Sequence, residues 1–305
     1  MTGWMAILGA LLYMAALFAI AYFGDVNGER LGGRKVRSAI YALSLAVYCT
    51  SWTFFGSVGL ASSQGLDFLP IYIGPLLVMV FGYPLIARVV RVAKSQNITS
   101  VADFVAARYG KSESVAAIVA VIALIGAVPY VALQLKAISA SLLTVLGSFE
   151  AGRVVERIGS GGGLALATAV ILAGFAMAFG TRRIDATEHQ DGLMLAVAAE
   201  SLIKLIAFLA VGAYVTWGMF DGFADLTDQA LANPQTRRII ERVPDWQSWL
   251  SMTVLAAFAI LLLPRQFHVM VVENRDERDV RTAAWVFPLY LVAINLFVLP
   301  IAVAG

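Results

Sequence analysis

The chain has 305 residues, of which 60% are hydrophobic and only 14% charged. A soluble domain carries about 25% charged residues and has too little interior to hide this much apolar surface, so a soluble globular fold and intrinsic disorder are both excluded. Net charge is +2, which gives no basis for nucleic-acid binding, and the single cysteine, Cys49, excludes an intrachain disulfide and a cysteine-based zinc site.

The apolar residues fall into blocks near the length that crosses a bilayer as helix. Taken in order, the spans are 3–23, 38–59, 68–90, 115–146, 164–180, 192–217, 249–263 and 283–304. The expected fold is therefore all-α and polytopic, with about eight transmembrane helices. The first span ends in Ala19-Ile20-Ala21, which imitates a cleavage site. Positive charge follows this run at Arg30, Arg34, Lys35 and Arg37 and none precedes it, the reverse of a signal peptide. An uncleaved helix with its N-terminus outside is expected. With that orientation, fifteen of the 22 Lys and Arg fall in cytoplasmic loops, among them Arg182, Arg183 and Arg265. Five fall outside, and Lys136 and Lys204 lie within spans. This is the positive-inside bias. Gly305 then ends an apolar run on the outer side, and the expectation is that the sequence continues.

Two loops carry structure of their own. Thr99-Ser100-Val101-Ala102-Asp103 is a helix-start signal. Residues 220–246 read as short amphipathic helices over the outer face. Gly159–Gly163 reads as a flexible turn; no Lys-Ser/Thr follows it, so it lacks a phosphate-binding signature.

The second span is unusual. Tyr48-Cys49-Thr50-Ser51-Trp52-Thr53-Phe54-Phe55-Gly56-Ser57-Val58-Gly59 holds too many hydroxyls and glycines for a lipid-facing helix. Either the helix is broken near 46–52, exposing backbone groups that can hold an ion or solute, or small residues let helices pack closely. Glu200 and Lys204 lie mid-span, four residues apart on one face. They read as a structural pair facing the bundle or as an ion relay. Lys136, near Gln134 and Ser139, either snorkels outward or faces a water-filled path. The charged turn 181–192, with Asp185, Thr187 and Glu188, reads as a solvated cap or a cytoplasmic gate. His268 reads as structural, and 273–281 as a surface ion-pair network.

Several motifs resemble the sodium/solute symporter family: Val101-Ala102-Asp103-Phe104 with Ala107-Arg108-Tyr109-Gly110, Ala132-Leu133-Gln134-Leu135, Thr187-Glu188 with Gln190, and Trp52 with Gly56 and Gly59. Cys49–Gly56, Asp185–His189 and Pro264–Met270 are similar to the branch in which such a domain is fused to a bacterial sensor histidine kinase.

The resemblance implies an extra N-terminal helix (1–24) and a LeuT-like five-plus-five inverted repeat. The first repeat is 38–217 and the start of the second is 247–305, so the fold is truncated within the second repeat. One transmembrane symporter-like domain covers 1–305, without a kinase domain. The implied function is not enzymatic. It is transport or sensing of a small organic solute, an amino acid, at a midplane site with ion-coupled alternating access. The alternative is a sensor that binds solute without transporting it. Implied cation ligands are the carbonyls of Ala46 and Cys49, and implied solute contacts are Thr50, Ser51, Trp52 and Phe55. Sodium or a proton is the coupling ion. Implied partners are the bilayer, a fused kinase and its response regulator, in the bacterial inner membrane. Tyr48, where some sodium-coupled members carry an acid or amide, and the glycine-free stretch 257–263 depart from the family pattern.

Overall fold

The structure, a computed structural model, describes residues 3–27, 33–147, 163–175 and 190–305. Among them it is all-helical, with no strand. The first element is α1 (Gly3–Asn27), followed by α2 (Arg34–Ser44), α3 (Ser57–Gln64), α4 (Pro70–Phe81), α5 (Tyr83–Ser95) and α6 (Val101–Arg108). The long α7 (Glu113–Gly147), α8 (Gly163–Phe175) and α9 (Asp191–Tyr214) come next. The last group is α10 (Phe223–Ala232), α11 (Pro234–Ile240), α12 (Trp246–Leu262), α13 (Pro264–Phe267), α14 (Glu277–Asn295) and α15 (Val298–Ala304).

Four helical stretches are long and apolar enough to cross a membrane: Leu8–Asn27, Glu113–Val145, Asp191–Met219 and Glu277–Ala304. Three further spans are bent pairs. Arg34–Tyr48 with Trp52–Phe68 bends by 60°, Pro70–Phe81 with Tyr83–Ser95 by 75°, and Trp246–Leu262 with Pro264–Val272 by 53°. The remaining apolar run, expected over 164–180, is described only as α8. The turns expected at 159–163 and 181–192 lie largely outside the described residues. So do Arg30, Arg182, Arg183, Asp185, Thr187, Glu188 and His189.

Each helix start follows local chemistry. The Ser100 hydroxyl accepts the Asp103 N–H at 3.1 Å and caps α6 where the sequence signals it. Asn233 accepts the Gln235 N–H at 2.9 Å before α11, and Asp245 accepts the Ser248 N–H at 3.0 Å before α12. Helices α10 and α11 fill the 220–246 loop, as its amphipathic pattern predicts.

The three bent spans and α14 pack around one core that includes Leu45, Met79, Ile86, Ile260, Met270, Phe287 and Leu291. Helices α4 and α12 approach closely. A Cβ on Gly74 would collide with the Thr253 carbonyl and lie 2.6 Å from the Ala257 nitrogen, so only glycine lets these backbones meet. Helix α1 crosses α9 in the same way, with Gly24 against the backbone of Gly192. The Asp25 carboxylate there accepts the Gly192 N–H at 2.9 Å. Helix α7 differs: Ile118, Ile122, Leu124 and Ile125 are all exposed. Such a surface is unfavourable in water and suits a hydrocarbon solvent.

One end of the bundle carries a polar network. Arg91 pairs with Glu277 at 2.8 Å, Arg275 with Asp191 at 2.7 Å, and Lys94 donates to Asn274 at 2.9 Å. The backbone N–H of Arg278 holds the Asp276 carboxyl below the usual range. This is the network expected over 273–281, corrected in that Glu273, Asn274 and Asp279 are buried, not on the surface. Glu273 accepts from the Gln190 N–H at 3.0 Å and meets His268 at 3.1 Å. His268 thus has the structural role its sequence context suggests.

Candidate functional site between two helix breaks

The second span is broken where its hydroxyl-rich sequence predicts. After α2 the chain tightens into a 3₁₀ turn (Leu45–Tyr48), and Cys49 is extended at φ −81°, ψ 100°. A π turn (Trp52–Gly56) then leads into α3. The seventh span breaks at Leu263, φ −65°, ψ 123°, immediately before Pro264. A residue preceding proline is driven out of the helical region, and proline has no N–H to continue the ladder.

The two breaks face each other. The Gln266 side-chain nitrogen donates to the Leu45 carbonyl at 3.2 Å, and the Tyr41 hydroxyl donates to the Met270 carbonyl at 2.7 Å. Each bond satisfies a main-chain acceptor at or beside a break, with a donor from the other broken span. Tyr48 adds a third tie, donating to the Ile71 carbonyl at 2.8 Å. Ser51 donates to the Gln134 side chain on α7, which draws that helix against the first break.

A cavity of about 120 Å³ lies between the breaks, lined by Tyr48, Thr50, Trp52, Thr53, Ile71, Tyr72, Tyr130, Leu263 and Arg265. Thr53, Ser57 and Cys49, four residues apart on one buried face, meet Tyr72. The Ser57 and Tyr72 hydroxyls are 2.6 Å apart. The Arg265 guanidinium sits over the Tyr130 ring, 4.6 Å from its centroid. A larger cavity, about 250 Å³, opens at the charged end between α2, α9 and the 273–276 turn. Its charges largely pair off, Arg275 with Asp191 and Arg34 with Asp276. The smaller cavity holds an arginine and no acid.

The sequence-predicted residues separate here. Thr50 and Trp52 line the cavity; Ser51 is engaged with Gln134 beside it. Phe55 points away and is 54% exposed, so it is not a lining residue. Ala46 and Cys49 are buried at the break, and the Ala46 carbonyl accepts the Cys49 N–H at 2.9 Å, which leaves one of its lone pairs free. Lys204 pairs with Glu200 as the spacing predicts. Both side chains are 33% exposed, so the pair is half-buried, not buried. It acts electrostatically on Tyr13 of α1, Tyr290 of α14 and Cys49. Lys136 is exposed on α7, and only its neighbour Gln134 reaches the break.

Sequence reasoning missed Tyr72, Tyr130, Leu263 and Arg265. Arg265 was assigned to a cytoplasmic loop because it ends an apolar run. The available signal was Pro264, which turns the helix without ending the span.

Comparison of the chain with protein-family models, with curated proteins and with solved structures finds no match.

Proposed function

We propose that this chain is a membrane transport or sensing domain that binds a small organic solute, an amino acid, between its two broken helices. The observation that carries the reading is the facing of the two breaks around a cavity lined by hydroxyls and aromatic rings. A broken helix leaves backbone groups free at membrane depth, which is tolerated only where they line a site or are satisfied by protein. The two broken spans are the second and the seventh, the first helices of the two halves in the five-plus-five inverted repeat that the sequence resemblance implies. Alternating access would then be a rocking of one half against the other around the cavity. The same resemblance makes the domain the input part of a bacterial sensor histidine kinase acting on a response regulator.

The coupling ion is sodium or a proton. Lys204, near Cys49, offers a resident cation in place of sodium, and it is paired with Glu200. The test is counterflow of labelled amino acids into liposomes containing the full-length protein, in sodium-free and sodium buffers, with and without a protonophore. Counterflow is the expected result. Saturable binding without counterflow would select the sensing alternative, and absence of both would remove the solute reading. Strict sodium dependence that survives the protonophore and Lys204→Met would eliminate the lysine as the coupling group.

A further inference from the structure

We infer that Arg265 anchors a carboxylate of the solute, so that the cavity between the breaks selects small carboxylates over the corresponding amides; this rests on the solute-binding reading above.

Arg265 lies two residues past the break of the seventh span, at the 53° bend, and lines the cavity. Its recorded contact is with the face of the Tyr130 ring. Stacking uses the plane of the guanidinium and leaves its five N–H donors, which lie in that plane, to find acceptors. Arg265 makes no ion pair or hydrogen bond to any described residue. The Tyr130 hydroxyl beneath it is buried and also lacks a partner. Two neighbouring donor groups are therefore unmatched on the wall of one cavity. An arginine on a cavity wall with no acceptor among the described residues marks a ligand path.

Among the described residues no acid meets it. The cavity lining contains none, and Glu200 is taken by Lys204. The complement to a guanidinium fork beside a phenol is an acceptor-only planar group, which describes a carboxylate. A carboxamide turns N–H donors toward donors, and an amine brings positive charge toward the arginine. The volume of about 120 Å³ admits only a small solute, with Trp52 and Leu263 available to its apolar part. An α-amino group would meet hydroxyls and main-chain oxygens here, so losing it should cost less affinity than losing the carboxylate.

The experiment is ligand-dependent thermal stabilisation of the full-length protein in lipid nanodiscs. The probes are propionate, L-alanine and L-proline, each beside its carboxamide. The acids are expected to stabilise the wild type at concentrations roughly tenfold or more below the carboxamides, the range of a charge-assisted hydrogen bond. Arg265→Gln is expected to abolish that difference. If acid and carboxamide act alike on the wild type, the anchor is overturned while solute binding stands; this comparison needs no variant. If Arg265→Gln lowers the melting temperature but keeps the acid preference, Arg265 is only a clamp on Tyr130 and the inference fails. If none of the probes stabilises the wild type, the solute reading fails together with the anchor.

Discussion

Two of the three bent helix pairs in the described residues, the second and seventh spans, are interrupted by opposite means. The break in the seventh span is local: Leu263 leaves the helix because Pro264 follows it. The break in the second span has no proline. Leu45–Trp52 is a run of small, hydroxyl-bearing and aromatic residues that would tolerate a helix, and its free carbonyls are met from elsewhere. Gln266 serves the Leu45 carbonyl, while the Ser51 hydroxyl donates to the Gln134 side chain. One break is thus encoded at a single position. The other exists because the first presents a glutamine to it. A proline break costs little to hold open, whereas a break without one needs partners for the backbone groups it exposes.

The largest effect should come from forcing the seventh span off the helix that packs against it, α4. Gly74→Val forces α4 off α12, and a loss of about 3 kcal/mol is expected from backbone displacement. A lowered thermal midpoint in detergent checks it, and an unchanged midpoint would mean the helices do not touch there. Gln266→Leu leaves the Leu45 carbonyl buried without its partner, an expected loss of about 1–3 kcal/mol in the same assay. It should also destabilise the first break while leaving the second intact, seen as altered spin-label distances across the second span only.

Glu200→Gln and Lys204→Met each leave one partner charged at membrane depth. Each should cost about 1–2 kcal/mol, less than for a fully buried pair because both groups are half-exposed. The double variant should cost less than the sum, and strict additivity in a double-mutant cycle would show that pairing is not their role.

Pro264→Ala should change stability by less than about 1 kcal/mol, because Leu263 is freed as the unfolded chain gains entropy. Spin labels on α12 and after α13 should move apart as the 53° bend relaxes. A bend that stays would transfer the cause of the second break from Pro264 to its tertiary contacts.

The smallest effect belongs to the far end of α12. Hydrogen bonds from the Ser248 side chain and backbone hold the Asp245 carboxyl below the usual carboxylate range. Its folded pKa is depressed, so its contribution is present above the ordinary carboxylate pKa of about 4 and is lost as pH falls through the lowered value. Asp245→Asn should flatten the fall of the melting temperature in that acid window and leave the two breaks unchanged.

Composition and hydropathy alone determined that this chain is helical, with several helices long and apolar enough to cross a membrane, because a bilayer leaves the backbone few other ways to satisfy its hydrogen bonds. The hydroxyl-rich run at 48–59, the helix start at Ser100 and the i,i+4 spacing of Glu200 and Lys204 were likewise legible, each being a property of neighbours in sequence. The cavity was only half legible. Thr50 and Trp52 stand in the unusual run, and so does Phe55, which the π turn rotates to the outside. Tyr72, Tyr130 and Arg265 come from three other helices and carry no local mark of membrane depth. Only the tertiary structure decided that they converge: the packing of α4 on α12 at Gly74 and the Gln266–Leu45 bond set one broken helix against the other, and sequence separation says nothing about that distance.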